Sequence, residues 1–108
     1  LTAPTHVAAL SPDGTVHEYD ITTEEFGLKR CAPADLVGGD AAHNAAALQS
    51  LLEGQQSAYR DIALLNAAAV TLITGKAASN AEAMKIVTAS LDSGKALETL
   101  NKYREYVK

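Results

Sequence analysis

The sequence predicts an α+β fold in which a β-hairpin precedes about four helices, and two observations of composition indicate this order. All three prolines lie in the first third of the 108 residues, whereas three alanines precede Cys31 and 18 follow it. Alanine favours helices and proline interrupts them, so residues 1–31 are predicted to be extended and residues 32–108 helical. The length, about 0.7 of the ~150 residues typical of a domain, allows at most one domain or part of one.

The predicted hairpin pairs Thr5–Leu10 with Thr15–Ile21. The connecting Ser11-Pro12-Asp13-Gly14 has proline at the second turn position and glycine at the fourth, which is typical of a β-turn. Alternation in the second strand separates a mostly apolar face from a mostly acidic one, so one side of the hairpin is predicted to be buried. The apolar face carries His17, Tyr19 and Ile21, and the other face carries Val16, Glu18 and Asp20.

One short helical turn and an irregular link are predicted to follow the hairpin. Thr22-Thr23-Glu24-Glu25 has the spacing of a capping box, and Gly27 comes too soon after it for a long helix. The link then runs through Pro33.

Glycines mark the ends of four predicted helices, because a left-handed residue commonly ends a helix. The predicted helices run from Asp40 to before Gly54, from about Ser57 to Thr74, from Ser79 to before Gly94, and from about Lys95 to Tyr106. Asp40 is the expected N-cap of the first, and Ser79 with Glu82 forms a capping box for the third.

Apolar side chains recur at helical spacing in these segments. The inward residues are Leu48, Leu51 and Leu52 in the first helix, Ala83, Met84, Val87 and Leu91 in the third, and a stripe of Ala96, Leu100, Tyr103 and Val107 in the fourth. On the exposed face of the fourth helix, Glu98 and Lys102 are spaced for an i, i+4 ion pair.

The second helix is apolar on every side. No charged residue interrupts 62–75, and large aliphatic side chains alternate there with alanines. Such a helix must be surrounded by other elements, and one hairpin with three helices is too little to surround it. We therefore expect this helix to pack on a larger sheet that the chain does not contain.

Charge and motif content exclude several classes of function. The net charge is −4, so no basic field is present to hold nucleic acid. The longest uncharged stretch is shorter than the ~20 apolar residues of a bilayer span.

A single cysteine, Cys31, fits a reducing cytoplasm, and no N-terminal targeting signal is visible, although the chain opens with Leu1. No phosphate-binding glycine loop, nucleophile elbow or zinc-protease motif is present.

Single residues that could act as catalysts or as ligands are interpreted as structural. His6, His17 and His43 are too far apart for one helical metal site, and adjacent Glu24 and Glu25 are better explained by the helix cap than by an acid pair. In Gly38-Gly39-Asp40 the Asp40 carboxylate is expected to accept hydrogen bonds from the backbone amides that would otherwise bind an anion. Cys31 has no partner base or thiol and is interpreted as inert. The last helix carries basic residues that are expected to complement its dipole: Lys95, Lys102, Arg104 and Lys108.

The order of short motifs resembles the C-terminal third of anthranilate phosphoribosyltransferases over essentially the whole chain. The matching segments are Leu1–Thr5, the hairpin, Glu25–Leu28, Gly38–Ala41 with Asn44-Ala45, Asn66–Ala69, Gly75–Ala77 and Leu91–Gly94. The resemblance implies that the fold is part of the larger α/β domain of a phosphoribosyltransferase or nucleoside phosphorylase-like enzyme. The N-terminal helical domain and most of the sheet would then lie outside these residues, in some 200 or more further N-terminal residues.

The resemblance also implies an activity of the parent enzyme. Such enzymes are cytoplasmic glycosyltransferases of tryptophan biosynthesis that use Mg²⁺ to join anthranilate to phosphoribosyl pyrophosphate, and the parent is expected to be a homodimer. The family's Gly-Thr-Gly-Gly-Asp loop, Lys-His-Gly-Asn segment, anthranilate-binding arginine and Asp-Glu metal pair all lie upstream of the matching part. No catalytic, cofactor-binding or metal-binding residue is therefore carried over to this sequence, and the chain alone is expected to be inactive.

Two alternatives remain open from the sequence. The chain could belong to a related nucleoside phosphorylase or to a phosphoribosyltransferase with another acceptor. It could also be a free-standing helical interaction module whose apolar second helix receives a partner protein.

Overall fold

The computed structural model describes all residues, 1–108, and has the predicted order of a hairpin followed by four helices. The strands are β1 (Thr5–Leu10) and β2 (Val16–Ile21), and the helices are α1 (Ala41–Leu52), α2 (Ala58–Ile73), α3 (Asn80–Asp92) and α4 (Lys95–Tyr106). Two 3-10 turns, Thr23–Phe26 and Pro33–Leu36, connect hairpin and helices. The first was predicted, whereas the second replaces part of the expected irregular link, because Pro33 supplies the φ angle of a first helical position.

The antiparallel hairpin has the predicted turn but not the predicted buried side. Ser11 and Thr15 close the turn with a backbone hydrogen bond of 2.8 Å, and Val7 lies opposite Tyr19. On the supposed buried face His17 is exposed and Tyr19 is half exposed, while Ile21 reaches the core at the end of the strand. That prediction was wrong for this chain, because no helix packs extensively on the hairpin.

Side-chain caps fix the starts of three helices where the sequence predicted them. The Asp40 carboxylate accepts a hydrogen bond from the His43 amide at 2.8 Å. Ser57 and Ser79 cap α2 and α3 in the same way, each at 3.1 Å. The Glu82 carboxylate accepts from the Ala78 amide at 2.8 Å, one residue earlier than a capping box requires. Gly94 starts α4 at φ 82°, a left-handed conformation that favours glycine.

The core lies between the first 3-10 turn, α1, α2 and α3. Its buried apolar residues are Phe26, Leu51, Leu64, Ala68, Ala77, Ala83, Val87 and Leu91. Met84 is half-buried beside this cluster, whereas Tyr103 and Val107 in the predicted stripe of α4 are exposed. The Glu98–Lys102 ion pair is present at 2.7 Å.

The chain exposes more surface than a self-contained domain of its mass. Its accessible area is 7370 Å², whereas a complete 11.3 kDa domain is expected to expose about 5,700 Å². Its radius of gyration is 15.5 Å, against about 13 Å for a compact chain of this length. Roughly 1,600 Å² of surface is thus in excess of the size scaling, and large apolar side chains are exposed on the hairpin, on α2 and on α4.

Candidate functional site

In the turn before α1, the backbone amides that could have bound an anion already donate hydrogen bonds within the chain. Asp40 caps the helix, as described above, and the side chain of Asn44 closes the turn from the other side. Its oxygen accepts from the Gly39 amide at 2.9 Å, while its nitrogen donates to the Gly39 carbonyl at 3.0 Å. The capping interpretation of Gly38-Gly39-Asp40 is confirmed, and the carboxylate would repel a phosphate at this helix start.

An open groove of about 410 Å³ lies between the second 3-10 turn, the start of α1 and the start of α2. Its wall includes Val37, Gly38, His43, Asn44, Tyr59 and Ile62. The polar groups nearest the turn are already engaged, since Asn44 bonds Gly39 and the Asp35 carboxylate accepts from the Ala32 amide at 2.9 Å. The groove therefore offers a mainly apolar surface, to which the His43 ring and the Tyr59 hydroxyl add polar groups, and it lacks a nucleophile paired with a base.

His6 lies on the acidic face of the hairpin, between two carboxylates of β2. Its Nδ1 is 2.8 Å from the Asp20 carboxylate, and its Nε2 is 3.4 Å from that of Glu18. The hydrogen bond to Asp20 is the main cause of a raised His6 pKa, to which Glu18 adds. All three side chains are exposed, so the arrangement is a surface ion cluster that ties β1 to β2. Strand register alone would have found it, because His6 pairs with Asp20.

The least expected polar contact joins α2 to the end of α3. Arg60 is 4% exposed, and its Nη2 donates to the Asp92 carboxylate at 2.7 Å. Its Nη1 is buried without a hydrogen-bond partner. The sequence carried a signal for the burial of Arg60 but not for its partner, because Arg60 precedes Leu64 and Ala68 at i, i+4 spacing and so lies on the buried face of α2.

The other residues considered from the sequence also have structural contacts. Glu25 accepts from the Thr22 amide at 2.6 Å, which confirms its capping role. Glu24 accepts from Arg30 at 2.8 Å, and its pKa is lowered by backbone hydrogen bonding and by that guanidinium. At the basic end, Lys108 pairs with Glu105 at 2.7 Å, and Arg104 donates to Gln49 at 3.1 Å. Cys31 is a half-buried free thiol.

The structure contains neither a metal-binding group of side chains nor a helix that could span a membrane. No group of three histidine, cysteine or carboxylate side chains is arranged to hold a metal ion. The longest helix, α2, has 16 residues, and none of the helices combines the length and apolar character needed to cross a bilayer.

Comparison with known proteins assigns the chain to a family. Residues 1–97 match the model described as "Glycosyl transferase family, a/b domain". Anthranilate phosphoribosyltransferases of Methylocella silvestris, Azorhizobium caulinodans and Brucella ovis are 51%, 50% and 50% identical over 96%, 94% and 91% of the chain. The chain spans 29–30% of the length of these relatives. It therefore belongs to the glycosyl transferase family, within its a/b domain, and is homologous to part of the anthranilate phosphoribosyltransferases.

Proposed function

We propose that this chain is the C-terminal segment of an anthranilate phosphoribosyltransferase and that its role in that enzyme is structural. The intact enzyme would transfer the phosphoribosyl group of phosphoribosyl pyrophosphate to anthranilate in tryptophan biosynthesis. The observation that carries the proposal is identity of about 50% to such enzymes over more than nine-tenths of this chain. In this proposal the intact enzyme is a cytoplasmic homodimer.

The chemistry of the transfer explains why a structural role is proposed for this part. Anthranilate's amine must attack the anomeric carbon as pyrophosphate leaves, so the enzyme has to align two substrates and stabilise the charge of the leaving group. Those tasks need hydrogen-bond donors or cations that are directed at the phosphate groups of the substrate. Here the amide of Gly39 donates to Asn44, Lys102 and Lys108 pair with carboxylates of their own helix, and Arg104 donates to Gln49.

The Mg²⁺ of the family does not fit the residues of this chain. The Glu18 and Asp20 carboxylates contact His6, while Glu24 and Glu25 bond Arg30 and a backbone amide. No group of three such side chains is arranged to hold a metal ion. The metal ligands are therefore proposed to lie upstream in the intact polypeptide.

The test is an assay of the intact polypeptide and of the 108-residue chain, with anthranilate, phosphoribosyl pyrophosphate and Mg²⁺. Consumption of anthranilate, followed by its fluorescence, is expected for the intact polypeptide and not for the chain. Turnover by the chain alone above the no-enzyme background would refute the structural role. Thymidine with phosphate, and other aromatic amines, form the comparison panel. Preferential turnover of one of those would assign the parent to a related enzyme with another acceptor.

A further inference from the structure

We propose that Asp13-Gly14, at the tip of the hairpin, is a modification site at which the protein converts aspartate to isoaspartate. Of the six aspartates, Asp13 is the only one followed by glycine, and all four asparagines are followed by alanine or lysine. Both residues of the pair are exposed. The reaction consumes no co-reactant other than water, and the inference does not depend on the proposed function.

The chemistry is a ring closure within the chain. The backbone nitrogen of Gly14 attacks the carboxyl carbon of Asp13 and forms a new C–N bond. The hydroxyl of the protonated carboxyl leaves, and together with the amide proton it makes one water molecule. A second water then opens the five-membered imide. Attack at the former side-chain carbonyl restores aspartate, whereas attack at the backbone carbonyl gives isoaspartate, in which the main chain runs through the side-chain carbons.

The attacking nitrogen belongs to the least hindered residue of the turn. Glycine has no Cβ, so nothing on Gly14 itself obstructs the approach of the Asp13 side chain. The surroundings are also open, because no atom lies within 4 Å of the position that a Cβ of Gly14 would take. Exposed loop tips with small and polar residues are the places where chains are most accessible to reaction.

Two hydrogen bonds of the turn restrain the reacting groups. The Gly14 amide donates to the Ser11 carbonyl at 2.9 Å, and the Asp13 carboxylate accepts from the Thr15 amide at 2.9 Å. The bond from Thr15 lowers the pKa of Asp13, so the carboxyl is less often protonated and loses water more slowly. Ring closure turns the two reacting groups toward each other and therefore proceeds from an opened turn.

The hairpin is built to open without the rest of the chain. Strands β1 and β2 pair with one another, and no helix packs extensively on either strand. Segments with few contacts open locally at low free energy. The product adds one carbon to the main chain inside the turn. Because turn geometry fixes the register of a hairpin, isoaspartate should disrupt the pairing of Leu10 with Val16 next to the turn.

Prolonged incubation of the intact polypeptide at neutral pH and physiological temperature tests the site. Isoaspartate is quantified in each peptide by mass spectrometry with electron-transfer fragmentation, which distinguishes the two isomers. Asp92 is the internal control, because its side chain is 50% exposed but the amide of the following Ser93 is held by the Ala89 carbonyl at the end of α3. We expect isoaspartate to form at Asp13 at least tenfold faster than at Asp92. Equal rates, or none at Asp13, would overturn the proposal.

Two variants separate ring closure from other damage. Asp13→Asn closes the same ring with loss of ammonia and needs no protonated carboxyl, so it should convert faster than the unchanged protein, with an increase in mass. Asp13→Glu would require a six-membered ring and should stay unmodified, although it keeps a carboxylate. An Asp13→Asn protein that does not convert would show that the turn forbids ring closure and would refute the proposal.

Denaturant tests the restraint by the turn. In urea the bonds from Gly14 and Thr15 are lost, and the rate at Asp13 should rise at least threefold over that of the folded protein. An equal rate in the folded protein and in urea would contradict the requirement for an opened turn.

Discussion

The contact between Arg60 and Asp92 predicts that two variants lose different amounts of stability. The test is which of the two has the lower free energy of unfolding. Arg60 is 4% exposed, Asp92 is 50% exposed, and the two atoms that join them are 2.7 Å apart. Asp92→Ala leaves the guanidinium buried with neither terminal nitrogen paired. Arg60→Met removes the buried charge and keeps an unbranched side chain of similar length in its place.

The magnitudes follow from burial and from the unpaired nitrogen. A hydrogen bond to a charged group contributes about 1.5–3 kcal/mol to stability, and half exposure of Asp92 places this one toward the lower end. We therefore expect Asp92→Ala to lower the free energy of unfolding by about 2 kcal/mol. Arg60→Met loses the same bond but relieves the burial of an unsatisfied Nη1, a penalty of about 1–3 kcal/mol. Its net change should be within about 1 kcal/mol of zero.

Urea unfolding monitored by circular dichroism measures the free energy of unfolding of each single variant and of the double variant. With a slope of about 1–3 kcal/mol per molar urea, a loss of 2 kcal/mol lowers the midpoint by roughly 1 M. The double variant should match Arg60→Met, because Asp92 has no buried charge left to pair. The reasoning is refuted if Arg60→Met is as harmful as Asp92→Ala, or if Asp92→Ala leaves the midpoint unchanged.

Two further predictions concern the hairpin and the turn before α1. The Asp20 hydrogen bond raises the His6 pKa, so its contribution to hairpin stability should be full below the unfolded value of about 6.5 and be lost as pH rises through the folded pKa. An NMR titration of the His6 ring should give a pKa above 6.5 that falls in Asp20→Asn, and an unchanged value in that variant would contradict the assignment. Asn44→Ala should cost about 1–2 kcal/mol by opening both bonds to Gly39. A Cβ at Gly38 would lie 2.8 Å from the Asn44 oxygen, so Gly38→Ala should also disturb the bonds of Asn44. In thermal unfolding, the double variant Gly38→Ala with Asn44→Ala should therefore lose much less stability than the sum of the two single losses. Additive losses would contradict closure of the turn by Asn44.

Local signals in the sequence were enough to predict the elements and most of their ends. Asp40, Ser57 and Ser79 act within one turn of the chain, and their caps depend on nothing distant. The turn at Ser11–Gly14 is similarly self-contained. Such features are fixed by neighbouring residues, so they can be recognised without knowledge of the tertiary packing.

The predictions that depended on distant residues were less successful. Alternation identified an apolar face on β2, but exposure of His17 and Tyr19 depends on what packs there, and no helix of this chain does so extensively. The Arg60–Asp92 contact spans 32 residues and requires α2 and α3 to be correctly placed first. For the site, the sequence could reject the anion-binding interpretation at Asp40, whereas the bidentate closure by Asn44 became evident from the geometry.

The loose attachment of the hairpin to the helices has a consequence for hydrogen exchange. Strands β1 and β2 bond one another, but helices α2 and α3 pack mainly against each other, against α4 and against the two 3-10 turns. Proteins open in cooperative units whose free energies follow their contacts. Amide protons of the hairpin should therefore exchange through a low-energy local opening, while those of Leu64 and Val87 wait for the loss of the entire helical cluster.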